Sequence, residues 1–473
     1  MFDPVIAPSG TLLGLLQRGR GDGTLHALAA PRAEALAALN GCVLDDPRHD
    51  WQVENRSLYY ARLYLDLHGG LEEIEAHLFG AEDRLDTEEG RTGLALAVLG
   101  HLASYGRRDA LRLLRRYVTT GTNWAWALDE LALRDDDAGL RSLALPVLAR
   151  FPADAEGEAE LAATVRDAFE PRPWRLWAED PRAAVGARIK AAGEQGSFDR
   201  WQRQLRPSGP RPGWSVQAVL DWAQEGLERG AELHGPAARC LAAVAAPEDR
   251  ELILATARRG PDGARCAALH YLAEAQDPAV LDLVELAAGE GSRTVADAAV
   301  AAFARMCGEA AVDRARGWIH RPDALGTAAA GLLAFRGGTQ DSPLVLGALR
   351  ETVRAQGPDA AALYPLVDGA GRLGIGCAAP VLRHIYRETA SSQLRGRTAR
   401  ALAATDPTFA NGFAVECLWD CEETTRELAA LHAETGDVRV AERLRRLAAD
   451  PAEEAEVQTA VRNRIGPDLD LQV

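Results

Sequence analysis

Arg265-Cys-Ala-Ala-Leu-His-Tyr-Leu-Ala-Glu-Ala-Gln-Asp-Pro-Ala-Val-Leu-Asp-Leu-Val-Glu-Leu-Ala-Ala288 reads as two short antiparallel helices joined by a tight turn. In the first, Cys266, Leu269 and Ala273 recur at i, i+3 and i+7 and form one apolar stripe. Asp277 offers an N-cap oxygen to the second, and Pro278 sits at its first helical position, where a missing N–H costs nothing. Val280, Leu283, Val284 and Ala287 then share one face, with Asp282 and Glu285 on the other, and Gly289 and Gly291 stand ready as C-caps. Neither helix can bury its stripe alone, so this hairpin requires neighbours.

Composition leads the same way. At 473 residues the chain exceeds one compact core, which implies several domains or an extended array. Aromatics are 6% against 47% apolar residues, so the apolar content is mainly Ala, Leu and Val, suited to thin helix-on-helix packing without a β-sheet. Lys190 is the only lysine, as codon bias in a high-GC bacterial genome would produce. A net charge of −16 opposes nonspecific binding to nucleic acid or anionic membranes. Seven scattered cysteines, an odd number, argue against a disulfide framework and for a reducing cytoplasm. Cys240 and Cys266 share an Arg-Cys context that suits small core residues. The Met-Phe-Asp-Pro start lacks a basic leader, and no apolar stretch approaches a membrane span.

With Pro278 as anchor, equivalent second-helix starts follow at Glu309, Pro343, Cys377, Pro407 and Asp437, in steps of 31, 34, 34, 30 and 30 residues. A variable period near that length, built from helical hairpins, resembles the HEAT repeat. The resemblance implies an all-α fold, a right-handed α-α superhelix whose stacked hairpins form a solenoid. Residues 1–170 are read as a capping layer followed by less regular hairpins, and 231–466 as the clearer repeats. Residues 467–473 are read as a frayed tail. Between the repeat regions, 171–230 carries Pro171, Pro173, Pro181, Pro207, Pro210 and Pro212 with five of the ten tryptophans, and reads as an irregular insertion or connector.

Motifs for chemistry are sparse. Gly369–Gly376, "GAGRLGIG", lies between helices with no strand before it, so it lacks the context of a dinucleotide fingerprint. Cys417 and Cys421, four apart, would supply half a zinc site or a small-residue core contact. HEAT-like iron hydroxylases depend on His-Glu dipeptides, and none of the ten histidines here precedes Glu. Arg108, Arg112 and Arg115 share a helix face that reads as a solvated surface near acidic residues 82–89. No catalytic residue, metal or cofactor is therefore assigned.

Two stretches display side chains off their core stripes. In 50–67, Gln52, Arg56 and Tyr59 lie beside the stripe of Val53, Tyr60, Leu63 and Leu67. In "TNWAWALDEL", Trp124 faces the core with Leu128 and Leu131, while Trp126, Asp129 and Glu130 fall on another face at i, i+3 and i+4. Arg and aromatic residues dominate binding hot spots. Gln52, Arg56, Tyr59, Trp126, Asp129 and Glu130 are thus the candidate partner-binding residues. The HEAT resemblance implies a noncatalytic scaffold that holds a protein or peptide in a concave groove. Trp126 and Asp129 also resemble, over about ten residues and with different spacing, the tryptophans and aspartate of HEAT-like alkylpurine DNA glycosylases. That makes an enzyme on the same scaffold, glycosylase-like or similar to the HEAT-repeat bilin lyases, the alternative reading. A self-assembling structural subunit is the third.

Overall fold

The computed structural model describes residues 6–47, 56–84, 89–204, 213–289 and 291–465. Among them every regular element is a helix, and helices pack on their sequence neighbours, consistent with an all-α superhelical fold. Contacts divide the chain into two compact units. The first comprises Met1–Pro207, Arg387–Ala399 and Thr408–Val473, and the second Ser208–Tyr386 and Arg400–Pro407. Gln52 and the tail 467–473 lie outside the described residues.

The second unit contains the hairpin read first. Its helices run Asp262–Glu274 and Val280–Ala288, and Val280, Leu283, Val284 and Ala287 are buried as the periodicity requires. Asp277 accepts the Ala279 N–H at 2.9 Å and grips Arg250 at 2.7 and 3.0 Å, so helical geometry starts just past Pro278. The first helix is buried well beyond its stripe, Arg265 and His270 included, because helices Val216–Glu228, His234–Val244 and Arg293–Arg305 all press on it. Downstream, Glu309–Trp318, Ser342–Gln356 and Ala379–Glu388 begin at the expected anchors. The glycine-rich run proves to be a packing device. A Cβ at Gly369 would lie 2.5 Å from the Ala334 Cβ, and one at Gly371 2.9 Å from the Ala401 Cα.

The first unit is assembled from both ends of the chain. Residues 7–24, read from the sequence as part of the capping layer, pack against Glu388 and residues 416–421. Glycine makes the approach close: a Cβ at Gly21 would meet the Glu416 carbonyl oxygen at 1.9 Å. The Cys421 N–H donates to the Gly19 carbonyl at 2.9 Å, and Arg18 Nε donates to the Glu388 carbonyl at 3.1 Å. Charged pairs complete the joint. Arg20 meets Glu416 at 2.7 Å and Arg62 meets Asp450 at 2.7 Å. Fully buried Arg395 forks onto Asp420 at 2.7 and 3.0 Å, and Arg426 onto Glu453 at 2.6 and 3.0 Å.

Three further expectations change. The described part of the 171–230 stretch is largely regular helix, Arg172–Ala178, Ala183–Gln204 and Val216–Glu228, because Pro171, Pro173 and Pro181 fall at helix starts and junctions. At Pro407 the anticipated helix shrinks to Phe413–Cys417, which leaves Cys421 beyond a turn, so Cys417 and Cys421 share no helical face. Cys266 is buried but Cys240 is only partly so, and Cys307 and Cys377 are exposed.

The Arg395–Asp420 pair generates a test. Arg395→Ala leaves a buried carboxylate without its fork, at a cost of about 3–5 kcal/mol. Replacing both partners by apolar residues should cost clearly less. Urea denaturation followed by tryptophan fluorescence distinguishes these outcomes, and equal losses would show the two residues to be energetically uncoupled.

Candidate functional site

The five candidate residues that are described separate sharply. Arg56 and Tyr59, expected on display, are buried at 0% and 5% exposure. Arg56 Nη2 donates to the Ala390 carbonyl at 2.7 Å, and the Tyr59 hydroxyl donates to the Arg20 carbonyl at 2.8 Å. Both serve the joint between chain ends and present no surface to a partner. Periodicity located their face correctly as outside the main stripe, but that face is covered by sequence 39 residues upstream and 334 downstream.

Trp126, Asp129 and Glu130 line a cavity of about 510 Å³ within the first unit. One wall is the helix Trp124–Arg134, anchored by buried Ala127, Leu128, Leu131 and Ala132. Trp124 lines the cavity too, half-buried against Phe151 at 5.9 Å, so it is not fully in the core. The opposite wall comes from the helix Ala155–Asp167, N-capped by Asp154 through the Gly157 N–H at 2.8 Å, and from the link to Pro171. The helix ends at Ala168, with φ −55° and ψ 128°, and Ala168, Phe169 and Glu170 line the cavity. Two contacts pin the link. Asp129 Oδ1 accepts the Glu170 N–H at 3.1 Å, and Arg172 caps the first helix by donating to the Ala132 and Asp135 carbonyls at 2.7 and 3.0 Å. Trp174 closes the floor, buried edge-on against Trp177, whose indole N–H donates to the Leu140 carbonyl at 2.8 Å.

The two carboxylates differ in role. Glu130 lines the cavity and extends toward the helix Glu89–Ser104, where a Cβ at Gly100 would lie 2.0 Å from Glu130 Oε2. It pairs with Arg134 at 2.7 Å and accepts the Trp126 indole N–H, yet burial still raises its pKa to about 7. Its task is to hold Trp126. Among the described residues no cation stands beside Asp129: burial, and secondarily the nearby Glu170 charge, raises its pKa to about 6 against the pull of the Glu170 N–H. None of the thirteen lining residues is Arg, Lys or His, while Asp129, Glu130, Asp167 and Glu170 are all acidic. At the rim, Leu133 and Phe169 are 60% and 83% exposed.

The sequence reading missed Phe169, Glu170, Leu133 and Trp174. The aromatic pair flanking Pro171 and Pro173 was the available signal, since prolines there force the chain to turn. The arginine face at 108–116 is partly neutralised, with Arg115 paired to Asp135 at 2.7 Å and Arg116 to Glu75 at 2.5 Å. Among the described residues no group of three or more His, Cys, Asp or Glu could hold a metal ion, and no helix is long and apolar enough to cross a membrane. No protein-family model matches the chain, and comparison with curated proteins finds no matching sequence. The chemistry of the cavity therefore carries the functional argument.

Glu130 provides a pH test of this geometry. With its folded pKa raised to about 7, above an unfolded value near 4.3, the folded state holds more proton across that interval. Its contribution to stability is therefore full below about pH 4.3 and declines as pH rises through 7. Glu130→Gln abolishes the titration. The wild-type minus variant unfolding free energy should fall between pH 5 and 8, by up to a few kcal/mol at roughly 1.4 kcal/mol per unit. A difference constant over that range would place Glu130 in solvent.

Proposed function

We propose that this chain is a noncatalytic interaction protein built from HEAT-like hairpins, and that it holds a protein or peptide partner at the 124–174 cavity. The observation that carries the reading is the cavity's construction. Exposed Leu133 and Phe169 rim a recess whose walls are tryptophans and whose polar groups include a half-buried carboxylate. Soluble chains rarely leave such apolar surface beside a recess without a use for it, and aromatic anchors ringed by polar groups are the usual anatomy of a hot spot. On this reading the contact falls on Trp126 and Asp129, with Arg56 and Tyr59 as its structural background. A reducing, cytoplasmic and bacterial setting belongs to the same reading, supported by seven free thiols and near-exclusive use of arginine.

The enzymatic alternative retains one supporting observation, that Trp126 and Asp129 share an aromatic recess as they would in a base-removing enzyme. Against it stands the ion pairing of Arg115 and Arg116, which reduces the basic surface a DNA duplex would need. Release of free purine from methylated duplex DNA, lost in Asp129→Asn, would favour that alternative.

Site-specific photocrosslinking tests the main reading. A benzophenone side chain is placed at Leu133 or Phe169, and in a control at exposed Phe335 in the second unit. Irradiation in a lysate of the source cells should give the same discrete adduct from positions 133 and 169 and none from 335. Adducts of equal yield at all three positions, or at 335 alone, would remove the cavity from consideration.

A further inference from the structure

We infer that the occupant of the cavity is a basic side chain, arginine or lysine, of the partner polypeptide, flanked by apolar residues that lie on the rim. This inference rests on the partner-binding reading and specifies its chemistry. Three features of the cavity converge on a cation. The first is charge: its wall holds four carboxyl-bearing residues and no basic one. Two of the four already have cations, Glu130 in Arg134 at 2.7 Å and Asp167 in Arg166 at 2.5 Å. Among the described residues Asp129 has none, although it is half-buried and accepts only one backbone N–H, so an incoming cation would supply the charge that its burial leaves uncompensated.

The second feature is the rings. Trp124, Trp126 and Trp174 line the same recess, and indole faces attract ammonium and guanidinium groups most strongly where water is excluded. Arg150, which does not line the recess, already stands 5.3 Å from the Trp124 ring centroid, a cation on one of these indoles. The third feature is the rim. Leu133 and Phe169 offer apolar surface to the residues on either side of the inserted one. Long basic side chains lay their methylene stems on apolar surface while the charged head reaches a partner, which matches a rim of this kind above a carboxylate.

Because protonation would neutralise Asp129 as pH falls through about 6, basic-ligand affinity should weaken below that pH. The other groups facing the recess are Glu130 with its Arg134, Asp167 with its Arg166, and Glu170.

The test uses the full purified chain and synthetic probes. Titration calorimetry compares acetyl-Phe-Leu-Arg-Leu-Phe-amide, its lysine counterpart, and analogues with citrulline or norleucine at the central position. The basic peptides should bind at least tenfold more tightly than the neutral ones at pH 7.5. Asp129→Asn keeps the acceptor for the Glu170 N–H and should bring that ratio close to one with an unchanged melting temperature. Phe169→Ala should weaken all four peptides together and leave the ratio intact. Equal binding of basic and neutral peptides would overturn the basic-side-chain inference and leave the partner site standing. So would a ratio that survives in Asp129→Asn. Failure of every peptide to bind also overturns it, and if crosslinking at 133 and 169 fails as well, the partner-binding reading falls with it.

Discussion

The first unit depends on arginines that bridge the two ends of the chain. Arg20, Arg56 and Arg62 are buried or nearly so and cross from the N-terminal segment to Glu416, Ala390, Asp450 and Glu453, while buried Arg395 and Arg426 hold Asp420 and Glu453 within the C-terminal segment. A guanidinium is suited to this because its planar fork satisfies two acceptors at once and keeps its charge on burial. Such pairs add little net stability over well-packed apolar residues, since desolvation offsets most of the attraction. What they add here is register. A guanidinium that fits only one carboxylate geometry selects a single way for Arg20 and Arg62 to meet Glu416, Asp450 and Glu453.

The second unit uses a different constraint, backbone proximity. Its helices are rich in alanine and glycine, and positions such as Gly263, Gly369 and Gly371 allow one helix to rest directly on another. Small side chains give thin contacts with few pockets of aromatic character, which is why its core needs so few rings. The aromatic recess instead lies in the first unit, where Trp124, Trp126, Trp174 and Trp177 accumulate around the turn at Pro171.

The candidate site was half legible. Trp126 and Asp129 were recognised because i, i+3 spacing on a helix places two side chains on one face whatever surrounds it. Glu130 was grouped with them by the same rule, and it lines the cavity while extending toward Gly100 on a neighbouring helix. Arg56 and Tyr59 were located off their core stripe and then covered by the chain's own far end. Periodicity reports where a side chain points and carries no information about what arrives to cover it.

From sequence alone came the helical class, the hairpin starts at Glu309, Pro343 and Asp437, and the absence of a phosphate loop or His-Glu repeat, because these depend on local spacing, caps and residue chemistry. The tertiary structure decided the rest. It turned the proline- and tryptophan-rich stretch into ordered helices, separated Cys417 from Cys421, brought both chain ends into one unit, and set Phe169 and Glu170 opposite Asp129. The last two are contacts between residues tens or hundreds apart, and their free energy arises only when the packed neighbour excludes water from both sides.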